Sequence, residues 1–110
     1  MENESEQRAF GRASVEMAVV LTSSSGGTVA GPCRDLSLDG LFVCCDPRLE
    51  SGDVCTIWMT HSANGHDLRI KARGVVARIT PGGLGLLFTD VGAAELRQIY
   101  NLLLESDVTA

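Results

Sequence analysis

Apolar residues recur at every second position where the chain first becomes periodic. In SVEMAVVLT (14–22), Val15, Met17, Val19 and Leu21 fall on one side and Glu16 on the other, the signature of a half-buried strand. After SSSGG, the run TVAGPC resumes an extended stretch that Gly31-Pro32 interrupts. A proline cannot donate to a ladder, so an edge or a bulge is expected there. GLFVCC (40–45) is a short, β-prone run, and DPRLESGD closes it with a loop full of breakers. VCTIWMTH (54–61) and LRIKARGVVARIT (68–80) flank SANGHD, whose Asn-Gly pair signals a hairpin. The second of these strands alternates Leu68, Ile70 and Ala72 against Arg69, Lys71 and Arg73, then changes register near Gly74. That change predicts a bulge at the glycine. PGG turns the chain into a last short strand, LGLLF.

After Asp90 the period becomes helical. Leu96, Ile99, Tyr100 and Leu103 fall at i, i+3, i+4 and i+7, predicting an amphipathic helix over about 91–105 with Thr89 or Asp90 as its N-cap. Leu96, Ile99 and Leu103 are expected to pack on the strands, which leaves Leu102 and Leu104 as candidates for exposure. Six strands at hairpin spacing, followed by one helix, predict an all-β fold: a small antiparallel barrel with the C-terminal helix against it. Residues 1–12 show no periodicity and are expected to form a flexible N-terminal arm ahead of one barrel domain, 13–110.

Composition narrows the function classes. A chain of 110 residues, 45% of them hydrophobic, supports one core. No apolar run approaches the roughly 20 residues of a membrane span, and the N-terminus is not of signal-peptide type. A cytoplasmic protein without membrane insertion is the expectation. The net charge of −5 argues against a DNA or RNA binder, which needs a basic face. Cys33, Cys44, Cys45 and Cys55 lack the paired spacing of a zinc site or disulfide framework and read as reduced thiols. His61 and His66 read as loop residues around the Asn-Gly turn, and no serine sits in a nucleophile elbow. No enzymatic activity, metal or cofactor is therefore expected. Trp58, the single tryptophan, reads as a packing residue, and Arg48, Arg69, Arg73 and Arg97 as ordinary surface charges.

Two polar sets remain: Arg8 and Arg12 in RAFGR, and Asp35, Ser37 and Gly40 in DLSLDG. Alone, the second set describes a tight turn, with Asp and Ser bonding nearby backbone and Gly taking positive φ. In this order the two sets resemble the PilZ domain family, bacterial receptors for cyclic di-GMP, whose signature is RxxxR before the first barrel strand and then [D/N]xSxxG. The resemblance continues through RLESGDVCTIWM, GVVARI and GLGLLF and covers residues 8–104. It implies a six-stranded antiparallel barrel with a C-terminal helix. It also implies a stand-alone receptor that binds cyclic di-GMP through Arg8, Arg12, Asp35, Ser37 and Gly40, with Arg34 and Arg78 as further candidates for the phosphates. Gly85 matches a family glycine and is expected to serve packing.

The chemistry suits that ligand. Guanine O6 and N7 and the phosphates are acceptors that an arginine fork engages bidentately, and the guanidinium also stacks on purine faces. A carboxylate at Asp35 accepts from guanine N1–H or N2–H₂, and Ser37 adds a hydroxyl. The alternation expected here turns Leu36 and Leu38 into the barrel, and Asp35 and Ser37 to its outside. With no fused output domain expected, such a receptor acts in trans on a protein partner in motility, secretion, biofilm or transcription, as a monomer or weak homodimer. The alternative is a PilZ-like adaptor, for example in pilus assembly, that works through protein contacts without the ligand.

Overall fold

The structure, a computed structural model, describes residues 16–63 and 65–109. All six expected strands form: β1 (Ala18–Ser23), β2 (Thr28–Leu36), β3 (Gly40–Cys44), β4 (Val54–Ala63), β5 (His66–Thr80) and β6 (Gly83–Asp90). They pair antiparallel in the order β1-β2-β3-β6-β5-β4 and close into a barrel, with one helix, α1 (Ala93–Thr109), after them. Closure removes free sheet edges, which a chain this rich in strand would otherwise offer to neighbours.

Alternation places the core as expected. Met17, Val19 and Leu21 point inward from the first stretch, and Cys55, Ile57 and Met59 from β4, while Trp58 faces out. Full burial of such a side chain contributes roughly 1.5–3 kcal/mol. Pro32 pairs with Ala18 at the end of the β1 contact, where β2 passes to its other neighbour β3, so the missing donor falls at a handover.

Three irregularities interrupt the pairing. In the first, β5 pairs Arg73 with Asp90 and then Gly74 with Phe88, so the extra residue is Thr89 of β6. β5 itself keeps alternating through Gly74 to Val76, and the bulge expected in β5 at the glycine lies in its partner strand instead. The other two shape the outer surface. Between Cys33 and Asp35, two residues of β2 face the single Phe42 of β3; between Val76 and Arg78, two residues of β5 face Gly85 of β6. Strict alternation from the buried Cys33 and Val76 would send Asp35 and Arg78 into the barrel. The extra residue in each strand turns both outward instead.

Two expectations for the helix are corrected. The Leu96 amide bonds the Gly92 carbonyl at 2.8 Å, so Gly92 stands at the cap, while Thr89 and Asp90 remain in β6, Asp90 opposite Arg73. The long β5 supplies a partner for β6 past LGLLF, and the helix starts only where that pairing ends. Its buried stripe is Ile99, Leu102 and Leu103, packed on the barrel beside β5, whereas Leu96 is 42% exposed. Spacing establishes that apolar residues share a side of a helix; the exit direction from β6 decides which flank meets the barrel.

Candidate functional site

A cleft of about 440 Å³ opens on the outer surface where β2, β3, β6 and β5 run side by side. The two bulges create its central row. Reading across the sheet, Asp35 pairs with Phe42, Phe42 with Gly85, and Gly85 with Arg78. A carboxylate and a guanidinium thus stand at opposite ends of a row whose middle is an aromatic ring and a gap.

Phe42 is 4% exposed, yet it lies outside the core cluster that its neighbours Leu41 and Val43 join. Two arginines cover its outer face: the Arg34 guanidinium sits 4.1 Å from the ring centroid and that of Arg78 5.8 Å. Arg34 Nε also donates to Asp35 Oδ2 at 3.1 Å. The ring thereby holds two cations in place by quadrupole attraction. Gly85 leaves room for this. A Cβ there would meet Arg78 Cβ at 3.4 Å and Phe42 Cδ2 at 3.7 Å, ordinary contacts that fill the gap without straining the backbone. Gly85 therefore lines the cleft, whereas a packing role was expected.

The Asp35–Gly40 segment is both a turn and a wall of the cleft. β2 ends at Leu36, so Ser37 stands in the turn and not in a strand. Its amide bonds the Gly40 carbonyl at 2.9 Å, and its hydroxyl accepts from the amides of Asp39 (3.1 Å) and Gly40 (3.2 Å). Asp35, Ser37, Asp39 and Gly40 all border the cleft. Leu36 is fully buried and Leu38 half-buried against the core. The glycine is needed for a reason other than the positive φ of a turn. Gly40 is not among the positive-φ residues, and a Cβ on it would lie 1.9 Å from the Leu86 carbonyl oxygen of β6.

Of the expected site residues, Asp35, Ser37, Gly40 and Arg78 therefore come together, and Arg34 flanks them over Phe42. Arg8 and Arg12 lie outside the described residues. Phe42 was missed from sequence. The signal was there: β3 is apolar and buried at Leu41, Phe42 and Val43 alike, so one outward position had to be covered. Among the described residues no three His, Cys, Asp or Glu side chains gather as a metal site, and His61 Nδ1 lies 3.0 Å from the Glu16 carbonyl.

Beneath the row, Cys33 Sγ donates to the Asp35 carbonyl at 3.4 Å across the β2 bulge. Burial pushes the Cys33 thiol up from 9.0 to about 12, with the Asp35 charge and then Cys44 adding to the effect. The folded protein thus holds this proton more tightly than the unfolded chain. Its contribution to stability is complete below the unfolded value and is lost as pH rises from about 9 toward 12. Denaturant melts across that range should show stability falling in the native sequence and a flatter profile in Cys33→Ala.

The PilZ domain family profile matches residues 6–105. The chain belongs to the PilZ domain family. PilZ domains are binding or adaptor domains, and the family is one of cyclic di-GMP receptors. Solved structures share the fold at low sequence identity. The inhibitor of motility MotI/DgrA of Bacillus subtilis superposes with a TM-score of 0.77 at 14% identity, over 90% of this chain and 50% of that one. The chain thus spans about half the length of the Bacillus protein. The PilZ domain of YcgR from Escherichia coli, solved with cyclic di-GMP, gives 0.71 at 16% identity, over 89% of each chain. The PilZ domain of CeSA from a cellulose-synthesizing bacterium gives 0.60 at 15%, over 86% of this chain and 95% of that one. No curated protein is matched by sequence. No helix among the described residues is long and apolar enough to cross a membrane.

Proposed function

We propose that this PilZ domain is a cytoplasmic, non-enzymatic receptor for cyclic di-GMP that signals to a protein partner in trans. The observation that carries the reading is the row Asp35–Phe42–Gly85–Arg78, bordered by Arg34 and open to solvent as a cleft. Its parts answer the ligand's chemistry: an acceptor for guanine N–H donors, guanidinium forks for phosphate or for O6 and N7, and a gap that admits a flat base. Arg8 and Arg12 are assigned to the same ligand from the chain segment that precedes β1, and ordering that segment over the nucleotide is the proposed switch. The neighbours solved as a motility inhibitor and as YcgR support motility machinery as the setting.

Isothermal titration of the full chain with cyclic di-GMP tests this directly. Saturable binding at micromolar ligand or tighter, lost in Arg8→Ala and Asp35→Ala, is the expected result. No heat of binding would leave the ligand-free adaptor as the better description. Phe42 supplies a finer check. Phe42→Leu keeps an apolar side chain under the arginines but removes the ring, so stability should change little while affinity falls about five- to tenfold, the worth of about 1 kcal/mol of cation–π holding.

A further inference from the structure

We propose that the outward face of β1, β4 and the first half of β5 is a docking surface for an acidic, extended segment of a protein partner. The register aligns its residues in rows. Val20 of β1 pairs with Trp58 of β4, and Trp58 with Lys71 of β5; Thr60 pairs with Arg69 in the row on one side and Thr56 with Arg73 in the row on the other. Arg69, Lys71 and Arg73 therefore form a cationic rail, one per row, along the edge of a face that is otherwise Thr, Ala, Val and Trp. The nearest carboxylates lie at its margins: Glu16 and Asp67 at one end, and Asp90 across from Arg73. In a chain with 14 Asp and Glu and a net charge of −5, three of the nine basic residues gather here, Arg69 and Lys71 in rows without a carboxylate and Arg73 opposite Asp90 of β6.

Among the described residues none of the three forms an ion pair. The ion pairs found among the described residues are Arg34–Asp35 and Arg48–Asp46. Lys71 Nζ instead sits 4.9 Å from the centroid of the Trp58 ring, which is 45% exposed beside the equally open Val20, at 40%. Half-exposed tryptophan next to exposed cations is the composition of a binding anchor more than of a solvated sheet face.

Geometry selects the kind of partner. Alternate residues of a strand stand about 6.8 Å apart, so the rail matches carboxylates at i, i+2 and i+4 of another extended chain. The three rows and three strands cover roughly 14 by 10 Å, room for one segment and not for a domain face. An apolar residue between two of the carboxylates would cover Trp58 and Val20. In the closed order β1-β2-β3-β6-β5-β4, β1 stands opposite β6 and β4 opposite β3, so this face lies across the barrel from the cleft. A partner held here leaves the cleft open, and the inference stands whether or not cyclic di-GMP is the ligand.

The test uses the full chain, with Trp58 as its own reporter. A synthetic peptide alternating Glu with Val and Thr is titrated while tryptophan emission is followed, and calorimetry is run in parallel. The same peptide with Lys in place of Glu is the control. Saturable binding of the acidic peptide is expected, weakened tenfold or more by Lys71→Glu and by Arg69→Glu, and weakened as salt rises from about 0.05 to 0.3 M. Both substitutions lie on exposed positions and should leave the circular dichroism and melting temperature unchanged. No saturable response, an equal response to the Lys peptide, or unaltered affinity in both variants would overturn the proposal. So would tighter binding of a single-stranded oligonucleotide or of anionic phosphatidylserine vesicles than of the peptide. Self-association of the chain in sedimentation that Lys71→Glu abolishes would assign the face to a second copy and overturn it too.

Discussion

Gly40→Ala is expected to lower the free energy of unfolding by about 3 kcal/mol, while Gly85→Ala, on the neighbouring strand, should stay within about 1 kcal/mol of the native protein. The difference follows from what a methyl group meets. At Gly40 it would stand 1.9 Å from the Leu86 carbonyl oxygen and 2.9 Å from its carbon, both backbone atoms of the strand paired with β3. Relief requires prying β3 from β6 at the cleft itself. At Gly85 the nearest atoms, at 3.4 and 3.7 Å, belong to the Arg78 and Phe42 side chains, in ordinary van der Waals contact. Urea denaturation of both variants measures the contrast. Equal stability losses would show that β3 and β6 adjust freely and that the close approach at Gly40 is not a constraint. Cyclic di-GMP affinity should respond in the reverse sense at Gly85, falling several-fold in a protein that remains folded, because the methyl occupies the gap between ring and guanidinium.

Asp35→Ala should weaken cyclic di-GMP about 100-fold, equivalent to roughly 2.7 kcal/mol. Two losses combine. Guanine N–H donors lose a charged acceptor, and hydrogen bonds to charged groups contribute roughly 1.5–3 kcal/mol. Arg34 also loses the carboxylate that its Nε engages at 3.1 Å, so the cation over Phe42 is less well held. Asp35→Asn should recover little, since an amide presents its own donors where the base presents donors. Ser37→Ala is expected to register first in stability, by about 1 kcal/mol, because its hydroxyl accepts from the Asp39 and Gly40 amides within the turn. Titration calorimetry beside thermal melts separates the two behaviours. Asp35→Ala binding as tightly as the native chain would remove the carboxylate from the proposed site.

The motif DxSxxG thus divides by role once the barrel is seen. Asp35 faces the cleft with a charged group, Ser37 chiefly builds the turn, and Gly40 lets two strands approach. The family resemblance treated the three as one ligand set, whereas the segment alone described a turn with Asp and Ser bonding nearby backbone. A motif records which residues recur together and not which contacts each one makes. The same limit explains Leu96. Its place at i, i+3, i+4 and i+7 with Ile99, Tyr100 and Leu103 is a true helical pattern, yet the buried stripe runs through Ile99, Leu102 and Leu103.

Period-two alternation determined the six strands and the inward residues of β1 and β4, because those depend on local backbone geometry and on which side chains avoid water. The sequence also carried the two motifs on which the family resemblance rests. Alternation around Leu36 and Leu38 already put Asp35 outside; tertiary structure alone decided that Arg78 faces outward in one row with it. Each of the two lies two residues from a buried inward position, at Cys33 and Val76, and by alternation counted from there would point into the core. A bulge in β2 and another in β5 reverse that, and a bulge is a property of the pairing between two strands. One chain segment read by itself does not contain it.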